Sequence, residues 1–486
     1  MSSEIRALEP QVLWNKFADL NEVPRPSKKE ERVIKFMKDF GKNLGLETIE
    51  DEVGNVIIRK PATEGMEDRK PIVMQSHLDM VHQKNNDTVF DFDTQGIDMY
   101  VDGDWVKAKG TTLGADNGLG VATIMAILES DSIAHPDLEA LFTIDEETGM
   151  TGAMGLKGGI LKGEILLNLD TEEDDEIGVG CAGGIDVTVK GQYIGQPFSK
   201  DGMKAYKIEV KGLQGGHSGM QIHEGLGNAN KIMNRLLYAV IEDIRIAEID
   251  GGSLRNAIPR ESISTIVFRE DKEDVLIGVL NSLSETIKKE LKTMEPDLEM
   301  VFTEIDFPET VMPFEAQEQI LKALYAAHNG VYRMSPDIPD LVETSNNIAR
   351  VIVKDGEIKV GCLTRSSVES TKMDLANALK ATFELAGCEV EFSGSYPGWA
   401  PNVDSAILKV MVPIYERLNN GVKPHVAACH AGLECGILGQ NYPDMDMISF
   451  GPNIKGAHSP DERAQISSAQ KYWEFVLEIL KHIPKA

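Results

Sequence analysis

Apolar positions along the chain follow two rhythms. From Glu30 to Leu44, Val33, Ile34, Met37, Phe40 and Leu44 fall at helical spacing. Leu46–Glu50 and Val56–Arg59 then read as short strands around a turn at Gly54–Asn55, and Pro71–Gln75 as a buried strand. A glycine-opened helix follows at Gly118–Ser130, with strands at Leu138–Ile144 and Ile165–Leu169. Strands alternating with helices predict a parallel or mixed sheet covered by helices on both faces.

The rhythm changes near Gly180–Val189. Alternating stretches such as "AYKIEVKG" and "STIVFRE", with the amphipathic "KEDVLIGVLNSLSETIKKELKTM", give strand-helix-strand-strand-helix order. This order is read twice, over about Ile185–Pro308 and Glu309–Gly394, with a hairpin turn at Asp355–Gly356 in the second copy. The Gly- and Pro-rich segment Ser393–Asn402 reads as a return linker. Beyond it, helices over Asp404–Leu418 and Ser468–His482 and strands at "PHVAACH" and "MDMISFG" restore the first rhythm. The fold class is therefore α/β. An α/β domain with a mixed sheet in two segments, residues 1–184 and 396–486, is interrupted by an inserted α+β domain at 185–395.

A length of 486 residues suits two or three domains, and 42% apolar residues suffice for proper cores. The net charge of −29 argues against a nucleic-acid partner, since phosphate neutralisation needs clustered Lys and Arg. Solubility accounts for the acidity without a functional role. Five scattered cysteines without a CxxC fit a reducing compartment. The N-terminus has no basic region followed by an apolar one, and no apolar stretch approaches a membrane span. A cytoplasmic protein without membrane partners is expected.

The candidate chemistry lies where predicted strands end. His77 and Asp79 in "SHLDM", Asp116 in "LGADNG", Glu146 and Glu147 in "TIDEETG", Asp170 in "LNLDTEE" and His458 in "GAHSPDE" stand at such ends or in adjoining loops. Ligand sites in open parallel sheets gather there. Two histidines and several carboxylates converging at one place can hold two divalent metals, which suggests a two-metal hydrolase. His458 follows the insertion, yet it would complete a site begun at His77. Asp79 can accept the other ring N–H of His77 and fix its tautomer. Asp116, between glycines, can bridge two cations or simply cap the following helix. Adjacent Glu146 and Glu147 invite a division of labour between a metal ligand and a free proton carrier, although such acidic runs are commonly solvated turns. His217 in "QGGHSG" is an exposed-turn histidine by spacing, able to stabilise an oxyanion. Asn256 and Arg365 have no distinctive signal of their own.

In order along the chain, "QSHLDMV", "GTTLGADNGLGVA", "TIDEETGMTGA", "LLNLDTEE", "GLQGGHSG", "CHAGLECG" and "GAHSPDE" resemble the M20 family of co-catalytic zinc peptidases. Within it, they resemble the aminoacyl-histidine, or cytosolic non-specific, dipeptidases. The resemblance covers essentially the whole chain, with no departure at a metal-ligand position. It implies two divalent metals, zinc first, with cobalt or manganese able to replace it. Asp116 would bridge them, with Glu147 and His458 completing one site and His77 and Asp170 the other. It further implies Glu146 as general base and acid, Asp79 orienting His77, His217 stabilising the transition state, and Asn256 and Arg365 holding substrate groups. A non-proline cis peptide would follow Asp116. The implied lid of two ferredoxin-like repeats agrees with the two α+β copies, and the resemblance implies a homodimer through the lid. The implied reaction is hydrolysis of unblocked dipeptides, including Xaa-His such as β-Ala-His. Alternatives are a tripeptidase, carboxypeptidase or aminoacylase on the same scaffold, and a metal-binding assembly protein without activity. The long lid and "HAGLECG" favour the dipeptidase, and the intact Glu146 argues against an inactive protein.

Overall fold

A computed structural model describes residues 3–486. They divide into two compact units: residues 3–180, 401–428 and 433–486 form the first, and residues 181–400 with 429–432 form the second.

The first unit is built on a sheet ordered Glu47–Glu50, Val56–Lys60, Leu138–Thr143, Ile72–His77, Ile165–Asn168, Asp446–Ser449, Glu176–Cys181 and His425–Cys429. The four strands 138–143, 72–77, 165–168 and 446–449 run parallel and form the centre. Outward from them, 56–60 pairs antiparallel with 138–143, and 47–50 pairs antiparallel with 56–60. The central strands are buried along their whole length, apart from half-buried Asp446, as both-faces-covered parallel strands must be.

The helix Ala115–Glu129 packs on strand 72–77 and on the helix Gln11–Asn21. Its residues are almost all apolar and buried, so it carries no exposed polar stripe. Its glycines permit close approach: a Cβ on Gly120 would lie 2.8 Å from the Leu169 carbonyl oxygen. The helix Ala406–Leu418 lies against strand 446–449 and against the closing helix Ile466–Lys481. No helix among the described residues is long and apolar enough to cross a membrane, and the five cysteines form no disulfide.

The second unit is a nine-stranded sheet whose paired strands all run antiparallel. One half runs Glu299–Glu304, Met203–Lys211, Ser262–Arg269, Ile244–Gly252, with helices Ala229–Ala239 and Glu273–Leu291. The other runs Val342–Lys354, Glu357–Ser366, Gly183–Gln192, Glu389–Tyr396, with helices Phe314–Ala326 and Glu369–Glu384. Each half has the strand-helix-strand-strand-helix-strand order of a ferredoxin-like unit. The halves join where Ile249–Gly252 pairs with Arg350–Val353, and one continuous apolar core lies beneath both.

The halves are nested, which corrects the tandem reading of 185–308 followed by 309–394. Strand 183–192 pairs with 357–366 and 389–396, so the second half begins before the first and is interrupted by it. Similarly, Ser393–Tyr396 belongs to an edge strand rather than to a linker, and the chain leaves the unit after Ala400.

Candidate metal centre

Strand 72–77 ends on His77, which is buried. Its Nδ1 meets Asp79 twice, at 3.1 Å from the backbone oxygen and 3.3 Å from Oδ1. Its Nε2 faces Asp116 Oδ1 at 3.2 Å and Asp170 Oδ1 at 3.5 Å. One ring nitrogen is thus tied back to an acid while the other points at two carboxylates. Histidines that ligate metals adopt this arrangement, because the acid behind the ring fixes the tautomer.

Asp116 turns its other oxygen elsewhere. Its Oδ2 lies 3.3 Å from His458 Nε2, which also meets Glu147 Oε2 at 3.0 Å. Asp116 directs both side-chain oxygens to histidines rather than to helix N–H groups; its dihedrals are non-helical, and its peptide with Asn117 is cis. His77, Asp116 and Asp170 offer ligand atoms within 4.8 Å of one another, and so do Asp116, Glu147 and His458. Glu147 Oε1 is buried without a hydrogen-bond partner, and buried Asp170 Oδ1 has His77 Nε2 no nearer than 3.5 Å. Buried carboxylate oxygens left in that state call for a cation, so the donor set fits two divalent metals sharing Asp116.

Asp79 carries a second load. Its Oδ1 accepts from the Glu146 backbone N–H at 3.1 Å, and its Oδ2 accepts from Ser27 Oγ at 2.8 Å and from the Glu147 N–H at 3.3 Å. One carboxylate therefore positions both His77 and the turn Glu146–Gly149.

Electrostatics follow from the crowding of acids. Burial raises the Glu146 carboxyl well above its ordinary range, and Asp170, Glu434 and Glu147 add to this while His77 opposes it. Burial likewise raises Asp170 to about 6. Hydrogen bonds to the Asp116 and Glu147 carboxylates raise His458 to about 11. For His77, burial disfavours the cation, but Asp170, Asp116 and Asp79 outweigh it and the pKa rises well above normal. Metal binding must displace these protons, since ligating histidine is neutral.

Two residues that the sequence did not single out support the centre. Glu462 is buried, and its two oxygens accept from the backbone N–H groups of Leu113, Gly114, Ala115 and Asp116 at 2.7 to 3.2 Å. Fully buried Arg25 donates to the carbonyls of Leu78, Asp79 and Gly114 and to Asn21 Oδ1. Burial lowers its pKa to about 10, so it stays charged at neutral pH. Together they fix the loops that carry Asp79 and Asp116. Glu462 stands inside "HSPDE", four residues after His458, which was the only available signal. Arg25 is one cation in a short loop and gave none. Glu462→Ala would leave a row of loop N–H groups without their acceptor. About 3 to 5 kcal/mol of stability should be lost, read as a lower unfolding midpoint of the metal-free protein.

His217, Asn256 and Arg365 belong to the second unit. His217 Nδ1 accepts from the N–H groups of Gly219 and Met220 at 3.2 and 3.0 Å. That fixes the proton on Nε2, leaving a neutral ring with one N–H to donate. Burial and then the charge of Arg365 lower its pKa, which keeps it neutral. Arg365 is buried, donates to Tyr396 Oη at 2.7 Å, and has an unpartnered Nε. A Cβ on Gly219 would stand 3.1 Å from His217 Cε1 and 3.2 Å from Arg365 Nε, so the two side chains converge on that glycine. His430, missed in the sequence, joins them. Its Nε2 bonds Ser345 Oγ at 2.8 Å, its Nδ1 is buried without a partner, and burial lowers its pKa to about 3. Asn256 is exposed, and its backbone carbonyl accepts from the Ser218 N–H at 2.8 Å.

A mixed sheet that gathers two histidines and several carboxylates around its parallel strand ends defines a class, the hydrolases that use a pair of divalent cations. Residues 73–482 match peptidase family M20/M25/M40, and the chain belongs to that family. It is 45% identical over 484 residues to the cytosol non-specific dipeptidase of Escherichia coli K12, covering 99% of each chain. The crystal structure of the aminoacylhistidine dipeptidase of Vibrio alginolyticus superposes with a TM-score of 0.95 at 44% identity, covering 100% of this chain and 99% of that one. An aminopeptidase from Bacillus cereus, with a TM-score of 0.56 at 16% identity over 98% of this chain and 99% of that one, shares the fold.

Proposed function

We propose that this protein is a metallo-dipeptidase that hydrolyses the peptide bond of unblocked dipeptides, Xaa-His such as β-Ala-His among them. The observation that carries the reading is the pair of histidine–carboxylate groups sharing Asp116, with an additional carboxylate, Glu146, held beside them. A purely structural site needs ligands and no such group. The family, and the two relatives named as dipeptidases, support the substrate class.

His77, Asp116 and Asp170 would hold one cation and Asp116, Glu147 and His458 the other, with zinc the best match to this donor set and cobalt or manganese able to substitute. Such cations supply Lewis acidity, activating a water and polarising a carbonyl. Glu146 takes the proton from the attacking water and delivers it to the leaving amine. Asp79 holds His77 and the Glu146 turn in register for this. His217 offers its Nε2–H to a developing oxyanion. Arg365 and His430 offer donors suited to a substrate carboxylate, with Asn256 a further polar contact for substrate. The same reading carries a cytosolic location and pairing of two copies through the second unit.

The test is release of free amino acids from β-Ala-His, Gly-His, Ala-Ala, a tripeptide and an N-acetyl amino acid, each with Zn²⁺ and with chelator. Chelator-sensitive cleavage of the dipeptides alone is the expected result. Cleavage of only the tripeptide or the acetylated compound would move the protein to another branch of the family. Metal binding without any cleavage would overturn the enzymatic reading.

A further inference from the structure

The motif "HAGLECG" contributes a residue that the proposed reaction leaves unused. Glu434 opens the helix Glu434–Asn441 and its side chain is wholly buried. Its Oε2 accepts from Gln75 Nε2 at 2.6 Å and from Thr143 Oγ1 at 2.7 Å. Gln75 Oε1 in turn accepts from Asn168 Nδ2 at 2.6 Å. Asn168 Oδ1 accepts from Ser449 Oγ, which also shares a hydrogen bond of 2.8 Å with Thr171 Oγ1.

These bonds form a row rather than a scatter. Gln75, Asn168 and Ser449 are direct cross-strand partners on three adjacent parallel strands, and Thr143 stands opposite His77 on the fourth. Gln75, Thr143, Asn168 and Ser449 are all 0% exposed, at depths where such strands ordinarily carry Val, Ile or Leu. Gln75 lies two residues before His77 on one strand, hence on the same face. Asn168 lies two residues before Asp170, and Thr171 is next to it in sequence. Hydrogen bonds connect every member of the row, with Glu434 Oε1 left buried without a partner, and such connected networks rigidify what they cross. Here the donors converge on a single terminal acceptor, Glu434.

We propose that Glu434 is a positioning residue for the metal centre. As the acceptor at the end of this row, it locks the strand ends bearing His77 and Asp170 and so sets the affinity for divalent cations. Burial raises its pKa to about 8, and glutamine is its near isostere. The inference rests on the proposed metal roles of His77 and Asp170.

The experiment measures Zn²⁺ affinity by competition with a chromophoric chelator, and the visible spectrum of the Co²⁺-loaded protein, for the full chain and for E434A, E434Q and T143V. Glu434→Ala is expected to lose about tenfold to a hundredfold in Zn²⁺ affinity and to alter the Co²⁺ spectrum, with Glu434→Gln within about threefold of the parent and Thr143→Val between the two. A fall in unfolding temperature with parental affinity and spectrum in E434A would make the residue merely structural and overturn the proposal. Equal losses in E434Q and E434A would overturn it too, by assigning the effect to charge. Should E434A fail to fold, parental Zn²⁺ affinity in T143V overturns it. Substrate is absent throughout, so failure of the dipeptidase reading, seen in the peptide panel with the parent protein, is a separate result.

Discussion

Glu146→Ala is expected to bind as much divalent metal as the parent protein and to lose about a hundredfold to ten-thousandfold in turnover, with KM little changed. Two features separate this residue from the acids around it. Its neighbour Glu147 faces His458 at 3.0 Å, so the adjacent carboxylates are already directed to different tasks. Its backbone N–H is anchored on Asp79 Oδ1, which fixes the turn without engaging the side chain. Burial and the neighbouring acids also give Glu146 a high affinity for protons, which a group that accepts one and later returns it requires. Metal content per chain, measured alongside kcat, checks both halves of the expectation. Parental turnover in the variant would remove Glu146 from the reaction.

Asp116→Ala is expected to lose both cations at once. Its two oxygens face two different histidines, His77 at 3.2 Å and His458 at 3.3 Å, and it belongs to both three-residue groups. His458→Ala should deplete one cation only, because His77 and Asp170 remain. Loss of Lewis-acid stabilisation worth several kcal/mol means a fall of roughly a thousandfold or more in activity. Metal analysis after gel filtration decides the matter: an Asp116→Ala protein that retains two equivalents would show that the two sites do not share this residue.

Much of this was legible in the sequence, and unevenly so. Strands 72–77, 138–143 and 165–168 are short apolar runs that end on polar residues, and a run of that kind reports its own end. The acids and histidines beyond them were therefore findable one at a time. The helix at 115–129 was harder, because its burial on all sides removes the polar stripe that periodicity needs. The nesting of the second unit was illegible: alternation marks 183–192 as a strand without saying which strand it pairs with.

The supporting residues divide in the same way. Glu462 sits in a recognisable motif, but its bonds go to backbone N–H groups about 350 residues earlier in the chain, which leave no trace in sequence. Arg25 reaches carbonyls of two separate loops, and any loop cation would look the same. His430 and Glu434 are four residues apart in one motif, yet belong to different units with different partners.

By itself, the sequence determined the α/β class, the interruption by an inserted α+β segment, and the identities of the acids and histidines placed at strand ends. These are local properties, set by side-chain periodicity and by what ends an apolar run. Only the tertiary structure decided that Asp116 turns one oxygen to each histidine, that Asp79 serves His77 and the Glu146 turn together, and that Glu434 closes a polar row beneath them. Hydrogen bonds are directional and short, so which groups meet depends on strand order and register, and those are settled when distant segments of the chain pack.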